Sequence, residues 1–203
     1  MTSTRTATHR TSPTRTSYST DTINVGTGNV QLSGADPTAT VDVTIEPGTQ
    51  IYGASGSASA FVITRGSTVD IQGTADAPVI MGAVAVDGSN MPTEDIRDLT
   101  GRGNWGGLVL SGFGVENAGD TNGELTTEAA PTNEERWFGG DDNADDSGQV
   151  QYVVIAESGF EFRPDEEVQG LTWRRSARTP PSTTCRSSAP RTTASSGSAA
   201  CPT

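Results

Sequence analysis

The sequence predicts an all-β chain whose short strands wind as stacked parallel coils, and three observations carry that expectation. Apolar residues come in bursts of three to five, most of them β-branched or aromatic, which is strand chemistry. Gly, Asp, Asn, Ser and Pro separate the bursts, as turn formers do. No window of about ten residues places apolar side chains at i, i+3, i+4 and i+7, so nothing reads as an amphipathic helix.

The bursts run, in order, Val41–Ile45, Phe61–Ile63, Val69–Ile71, Val79–Met81, Leu108–Leu110 and Tyr152–Ile155. Glu46-Pro47-Gly48-Thr49 fits a type II turn, with Pro presetting φ and Gly accepting a positive φ. Arg65-Gly66-Ser67 and Gln72-Gly73-Thr74 break the chain after their strands. Strands this short suit a sandwich or a parallel β-helix. A sandwich usually wants strands of about five or six residues and tight hairpins, and the one Asn-Gly pair, Asn122-Gly123, lies in a polar stretch. Coils of three short strands joined by Gly-containing bends, repeating every 20 to 30 residues or so, fit better. "TVDVTIEPGTQIYG" and "STVDIQGTADAPVIMG" share such a strand-turn-strand plan. Asp87–Gly103 and Asn117–Asp146 are polar and are expected to leave the stack as surface loops.

Charge divides the 203 residues unevenly. There are 25 acids against 13 arginines and no lysine, a net charge of −12. That balance argues against nucleic acid, whose phosphates need basic partners. No apolar run approaches the roughly 18 residues of a membrane helix. Residues 1–20 hold three Arg and no acid, residues 173–203 hold five Arg and no acid, and the middle therefore carries a net of −20. After Trp173 there is no Val, Ile, Leu, Met, Phe or Tyr, too little apolar surface to fold. The expected organisation is a β-helix over 21–172 flanked by disordered or out-of-frame tails at 1–20 and 173–203.

Four blocks carry a family likeness: Thr44–Gly53, Phe61–Met81, Arg102–Gly112 and Phe138–Thr172. They follow, in order, the patterns "LTIEPGT-IYG", "AxxVTRG--I-A-GTADAPVIF", "R-DWGGLVL-G" and "YGG-D--D-SG-L-YVRIEYAGFEF-PD-E-NGLTL". The chain resembles a family of secreted bacterial β-helix proteins, often lipoproteins or bearing cell-surface secretion tails, many without an assigned function. The resemblance implies a right-handed parallel β-helix of few coils, placed outside the cytoplasm, at the cell surface or on the outer membrane. It implies no particular chemistry.

The same family pattern continues past "NGLTL" with another coil and an acidic-aromatic block, where this chain has "TWRRSARTPPSTTCRSSAPRTTASSGSAACPT". A shift of reading frame accounts for the difference. If each true codon takes the third base of one codon and the first two of the next, Ser (TCN) becomes Phe, Leu, Ile or Val. Thr (ACN) becomes Asp, Asn, His or Tyr. Loss of one C at Thr172-Trp173 suffices, and one choice of third bases restores "LAAVGPNTTVDYLQVIGAEDDGIEWFGG". The expectation is therefore a frameshift near Thr172. The same operation on residues 3–20 gives an acid-rich stretch, which would make Met1 a spurious start and account for the lack of a visible signal peptide. Cys185 and Cys201 both lie in the suspect tail, so they say nothing of redox compartment.

Three groups of residues carry candidate chemistry. Asp141, Asn143, Asp145 and Ser147 alternate as hard oxygen ligands do in calcium loops. Asp146 and Tyr152 stand where an EF-hand needs Gly and Glu, so the choice is a generic calcium turn or a solvated loop capping the strand that starts at Val150. Glu157, Glu161, Arg163, Asp165, Glu166 and Glu167 superficially suit a polysaccharide lyase, or else form an ordinary polar turn. Trp105, Trp137, Phe138, Phe160 and Phe162 suit sugar stacking or, more commonly, packing. His9 is the only histidine and lies in the tail, which removes imidazole chemistry from the middle. The expected function is a non-enzymatic secreted or cell-surface module for adhesion, binding or structure, with a polysaccharide or cell-surface ligand as partner. The alternative is a carbohydrate-active enzyme working through carboxylates and calcium.

Overall fold

A computed structural model describes residues 17–84, 101–126, 136–163, 166–167, 169–174 and 185–187. His9, Cys201, most of Asp87–Gly103, Asp165 and the greater part of both tails lie outside the described residues.

The chain repeats a cycle of three strands. The first turn of the cycle is β1 (Ser17–Ser19), β2 (Ile23–Val25) and β3 (Asp42–Ile45). The second is β4 (Gln50–Ala54), β5 (Ala60–Ile63) and β6 (Thr68–Gln72). The third opens with β7 (Val79–Val84) and β8 (Gly107–Ser111). It then makes an excursion through β9 (Glu124–Thr126) and β10 (Trp137–Gly139) before closing with β11 (Gly148–Gln151). The fourth holds β12 (Val153–Ile155), a small pair β13 (Glu161–Arg163) and β14 (Glu166–Glu167), and β15 (Leu171–Arg174). Last comes β16 (Cys185–Ser187).

Strands one cycle apart pair in parallel. This gives three sheets, β1-β4-β7-β12-β16, β2-β5-β8-β15 and β3-β6-β11. Strands of these three sheets pair in parallel one cycle apart and none pairs with its chain neighbour, so the architecture is the predicted parallel β-helix. β9–β10 and β13–β14 are the antiparallel pairs among the described residues.

Register explains why the apolar bursts are short. In each coil only alternate residues of a strand point inward, and stacking sets like beside like. Ile45, Ile71 and Val150 form one internal column, all buried. Val25, Ile63, Leu110 and Trp173 form a second, and Ile51, Met81 and Ile155 a third. These columns and their neighbours make one continuous core. Val62 and Val109, one step out of phase on β5 and β8, are nevertheless buried with Ala60 in a separate small cluster. The outer face of that sheet is covered, and β10 of the excursion lies beside β8.

Gly148 fixes where the excursion rejoins the stack. It pairs with Val69 at a φ of 105°, and a Cβ there would stand 2.0 Å from the Val69 carbonyl oxygen. Only glycine tolerates both that backbone angle and that approach.

The tails meet the stack in three places. β1 pairs with β4, Trp173 and Arg174 complete β15 beside β8, and β16 pairs with β12. The Arg174 guanidinium lies 5.0 Å from the Phe138 ring centroid.

Candidate functional site

The described part of the polar stretch Asn117–Asp146 leaves the three sheets, and it is anchored by a residue whose role its local sequence hides. Arg65 sits in the bend between β5 and β6 and is completely buried. Its Nη1 bonds Glu124 Oε1 at 2.6 Å and the Gly139 carbonyl at 2.8 Å, both on the β9–β10 hairpin. Nε donates to the Gly28 carbonyl at 2.9 Å and Nη2 to the Val30 carbonyl. The Phe113 ring lies 5.5 Å from the guanidinium. Glu124 in turn accepts the Leu32 and Ser33 backbone N–H groups at 2.9 and 2.8 Å. One buried ion pair thus ties the hairpin, the β5–β6 bend and the 28–33 loop into a single knot. Its work is structural.

The acidic turn lies at the other end of the excursion. Asp141 and Asn143 are exposed, Asp145 is half-buried and Ser147 is buried. Asn143 Oδ1 accepts the Val115 N–H at 3.1 Å, and Asp145 Oδ2 accepts the Phe113 N–H at 3.2 Å. Asp142 and Asp146 accept the Ala144 and Gly148 N–H groups. Ser147 Oγ donates to the Ser111 carbonyl and to Asp145, each at 3.5 Å. So two of the four predicted ligands are engaged in seating the 113–115 segment, and Asp146 steadies the entry to β11. Among the described residues, no group of three or more His, Cys, Asp or Glu side chains converges as metal ligands do.

Burial raises the Asp145 pKa, against the Phe113 hydrogen bond, and the Asp142 and Asp146 charges add to the rise. A carboxyl with a raised folded pKa favours the folded state below its ordinary value near 3.8. That advantage is lost as pH rises through the folded value. Asp145→Asn keeps an acceptor for Phe113 and removes the penalised charge. It should give a small rise in Tm at pH 7 that vanishes below about pH 4, read by thermal melts across pH. With millimolar calcium the order must reverse if the turn holds an ion, because the wild type alone then gains ligand stabilisation.

A different carboxylate stands out chemically. Glu157 follows β12 in a left-handed conformation, φ 57°, that non-glycine residues seldom adopt. It is only 9% exposed. Asn104 Nδ2 approaches Oε1 at 3.4 Å, while Oε2 is buried and unbonded among the described residues. Asn104 N–H donates to the Glu157 carbonyl and Gly103 N–H to that of Ser158, so segment 101–106 lies laced along 156–160. A Cβ on Gly101 would fall 2.5 Å from Oε1. Glycine there leaves the room the carboxylate occupies. Burial, and then the Glu157 charge, push the Tyr52 hydroxyl above its usual pKa of 10.0. A buried corner with one unused carboxylate acceptor can hold a hydroxyl donor.

Of the lyase-like group, Glu161 is exposed, and β13 and β14 pair antiparallel on either side of the Pro164-Asp165 step. Of the aromatics, Trp105 is buried with Nε1 donating to the Ala156 carbonyl at 2.8 Å. Phe138 is buried, and Trp137 and Phe160 are half-buried. Packing accounts for Trp105 and Phe138.

No curated protein and no solved structure matches the chain. Residues 29–174 match the model of the pectate-lyase-like β-helix domain. That span runs from the loop after β2 to the end of β15 and includes the Arg65 knot, the acidic turn and Glu157. With the three-sheet parallel stack, it establishes that this chain belongs to the pectate-lyase-like β-helix domain family.

Proposed function

We propose that the chain is a non-enzymatic secreted or cell-surface module that binds a polysaccharide or another cell-surface ligand along its β-helix. Membership of a pectate-lyase-like family supports a carbohydrate-directed role, and such domains are typically extracellular. No helix among the described residues is long and apolar enough to cross a membrane. The observation that carries the non-enzymatic reading is the use of the carboxylates. Glu124, Asp120, Asp142, Asp145 and Asp146 all bond backbone N–H groups and hold the excursion in shape. The negative field of the middle disfavours polyuronates and favours neutral chains. Affinity electrophoresis against neutral and acidic polysaccharides tests this. Retardation by a neutral polymer without product is expected; sustained release of unsaturated ends or reducing ends would overturn it.

The second reading, a carbohydrate-active enzyme, is favoured by Glu157 alone, through its strained backbone and unbonded Oε2. Glu157→Gln removes the charge at nearly constant shape. It should leave the melting temperature undiminished and ligand binding intact. Under the enzymatic reading it must cut turnover by about 10²–10⁴-fold, the usual worth of a general acid or base.

A further inference from the structure

We propose that the strand on the β12 edge of the stack is natively encoded in the shifted reading frame, and that the frame from position 173 onward supplies the next coil. Three observations converge on this. The first is the column at position 173. Trp173 pairs with Leu110, which follows Ile63 and Val25 inward along the same column. The shifted frame places a leucine there, continuing a series of aliphatic side chains that a tryptophan interrupts.

The second is the register of β16. Positions 185, 186 and 187 pair with Val153, Val154 and Ile155. Along β12 those partners are buried, half-buried and buried, so a strand stacked on them needs apolar, polar, apolar. Cys-Arg-Ser does not supply that order. In the shifted frame a Cys codon, TGY, becomes NTG, which is always Leu, Met or Val. A TCN serine becomes Phe, Leu, Ile or Val. An AGR arginine after TGC becomes glutamine. Apolar, polar, apolar results at the three positions the structure pairs; position 185 is apolar for either Cys codon, and position 187 is apolar for every TCN serine codon.

The third is spacing. Cys185 follows its partner Val153 by 32 residues, between the 30 separating Ile51 from Met81 and the 34 separating Ser17 from Ile51. A deletion of one base preserves residue count, so the shifted chain arrives at the β12 edge at the right place for one coil. The family match also ends at Arg174, two residues past Thr172, where the frames part.

Two measurements test this. The coding DNA, read in the shifted frame from Thr172, is expected to be open to position 200, with TGC at Cys185 and TCN at Ser187 and Ser188. A stop codon in that frame, or AGY at Ser187, which yields Lys, Gln, Glu or a stop, overturns the proposal. Independently, the chain is expressed with one cytosine restored between the Thr172 and Trp173 codons and compared with the 203-residue chain. The restored chain should melt cooperatively and about 10 °C or more higher, because an added coil buries the β12 edge. An aspartate at position 187 of the restored chain should reverse that gain. Equal melting temperatures, or indifference to that aspartate, contradict the proposed strand.

Discussion

Arg65→Ala is expected to cost about 3–5 kcal/mol, the usual loss when one partner of a buried ion pair is removed. At about 2–4 °C per kcal/mol for a chain of this size, the melting temperature should fall by roughly 6–20 °C. The reason is what remains behind. Glu124, 2% exposed, would be left buried without its counter-ion, and the carbonyls of Gly28, Val30 and Gly139 would lose their donor. Exchanging both partners, Arg65→Met with Glu124→Leu, should be less damaging than the sum of the two single changes, since no charge is stranded. It should still fall short of wild type, because Glu124 also holds Leu32 and Ser33. Chemical denaturation of the four proteins measures the coupling. A loss below about 1 kcal/mol for Arg65→Ala, as a surface pair would give, would mean that Arg65 is solvated and the knot does not exist.

Ile71→Ala should cost about 2–5 kcal/mol. Ile71 is fully buried on the middle strand of its sheet, between Ile45 below and Val150 above. Truncation leaves a void that both neighbouring coils must collapse into, and backbone pairing on each side resists the movement. Ile23→Ala provides the contrast. Ile23 stands on an outer strand and is 44% exposed, so its loss should be well under half as large. Equal effects at the two positions would argue against a stacked column at Ile71.

Much of the fold was legible because a β-helix core is built from local repetition. Val41–Ile45, Val69–Ile71 and Val79–Met81 each show β-branched residues between turn formers, and those bursts are β3, β6 and β7 in the structure. Pairing across coils then needs only that like columns stack. The excursion was not legible in the same way. Its hairpin depends on Glu124 meeting Arg65, 59 residues earlier, and an arginine between Thr64 and Gly66 reads locally as an ordinary exposed turn residue. One signal was present: Arg65 is one of only five arginines in a region holding all 25 acids, and it has no acid beside it in sequence. In the sequence Glu157 is one acid among several. What sets it apart is a backbone angle and the space left by Gly101, 56 residues away. The acidic turn carried a clear ligand-like pattern, yet alternation of Asp, Asn and Ser is equally what capping backbone N–H groups requires.

The stacking of coils is tested most directly by cross-linking on the solvent face of the β3-β6-β11 sheet. Thr44 pairs with Asp70, and Asp70 with Gln149. In a background carrying Cys185→Ser and Cys201→Ser, the pair Thr44→Cys with Asp70→Cys should oxidise readily to an intramolecular disulfide, because adjacent strands are about 4.8 Å apart. Thr44→Cys with Gln149→Cys should not, since β6 lies between them and two strand spacings exceed the reach of a disulfide of about 7 Å. Efficient bridging of Thr44 to Gln149, with none of Thr44 to Asp70, would contradict the coil order on which every other statement about this chain depends.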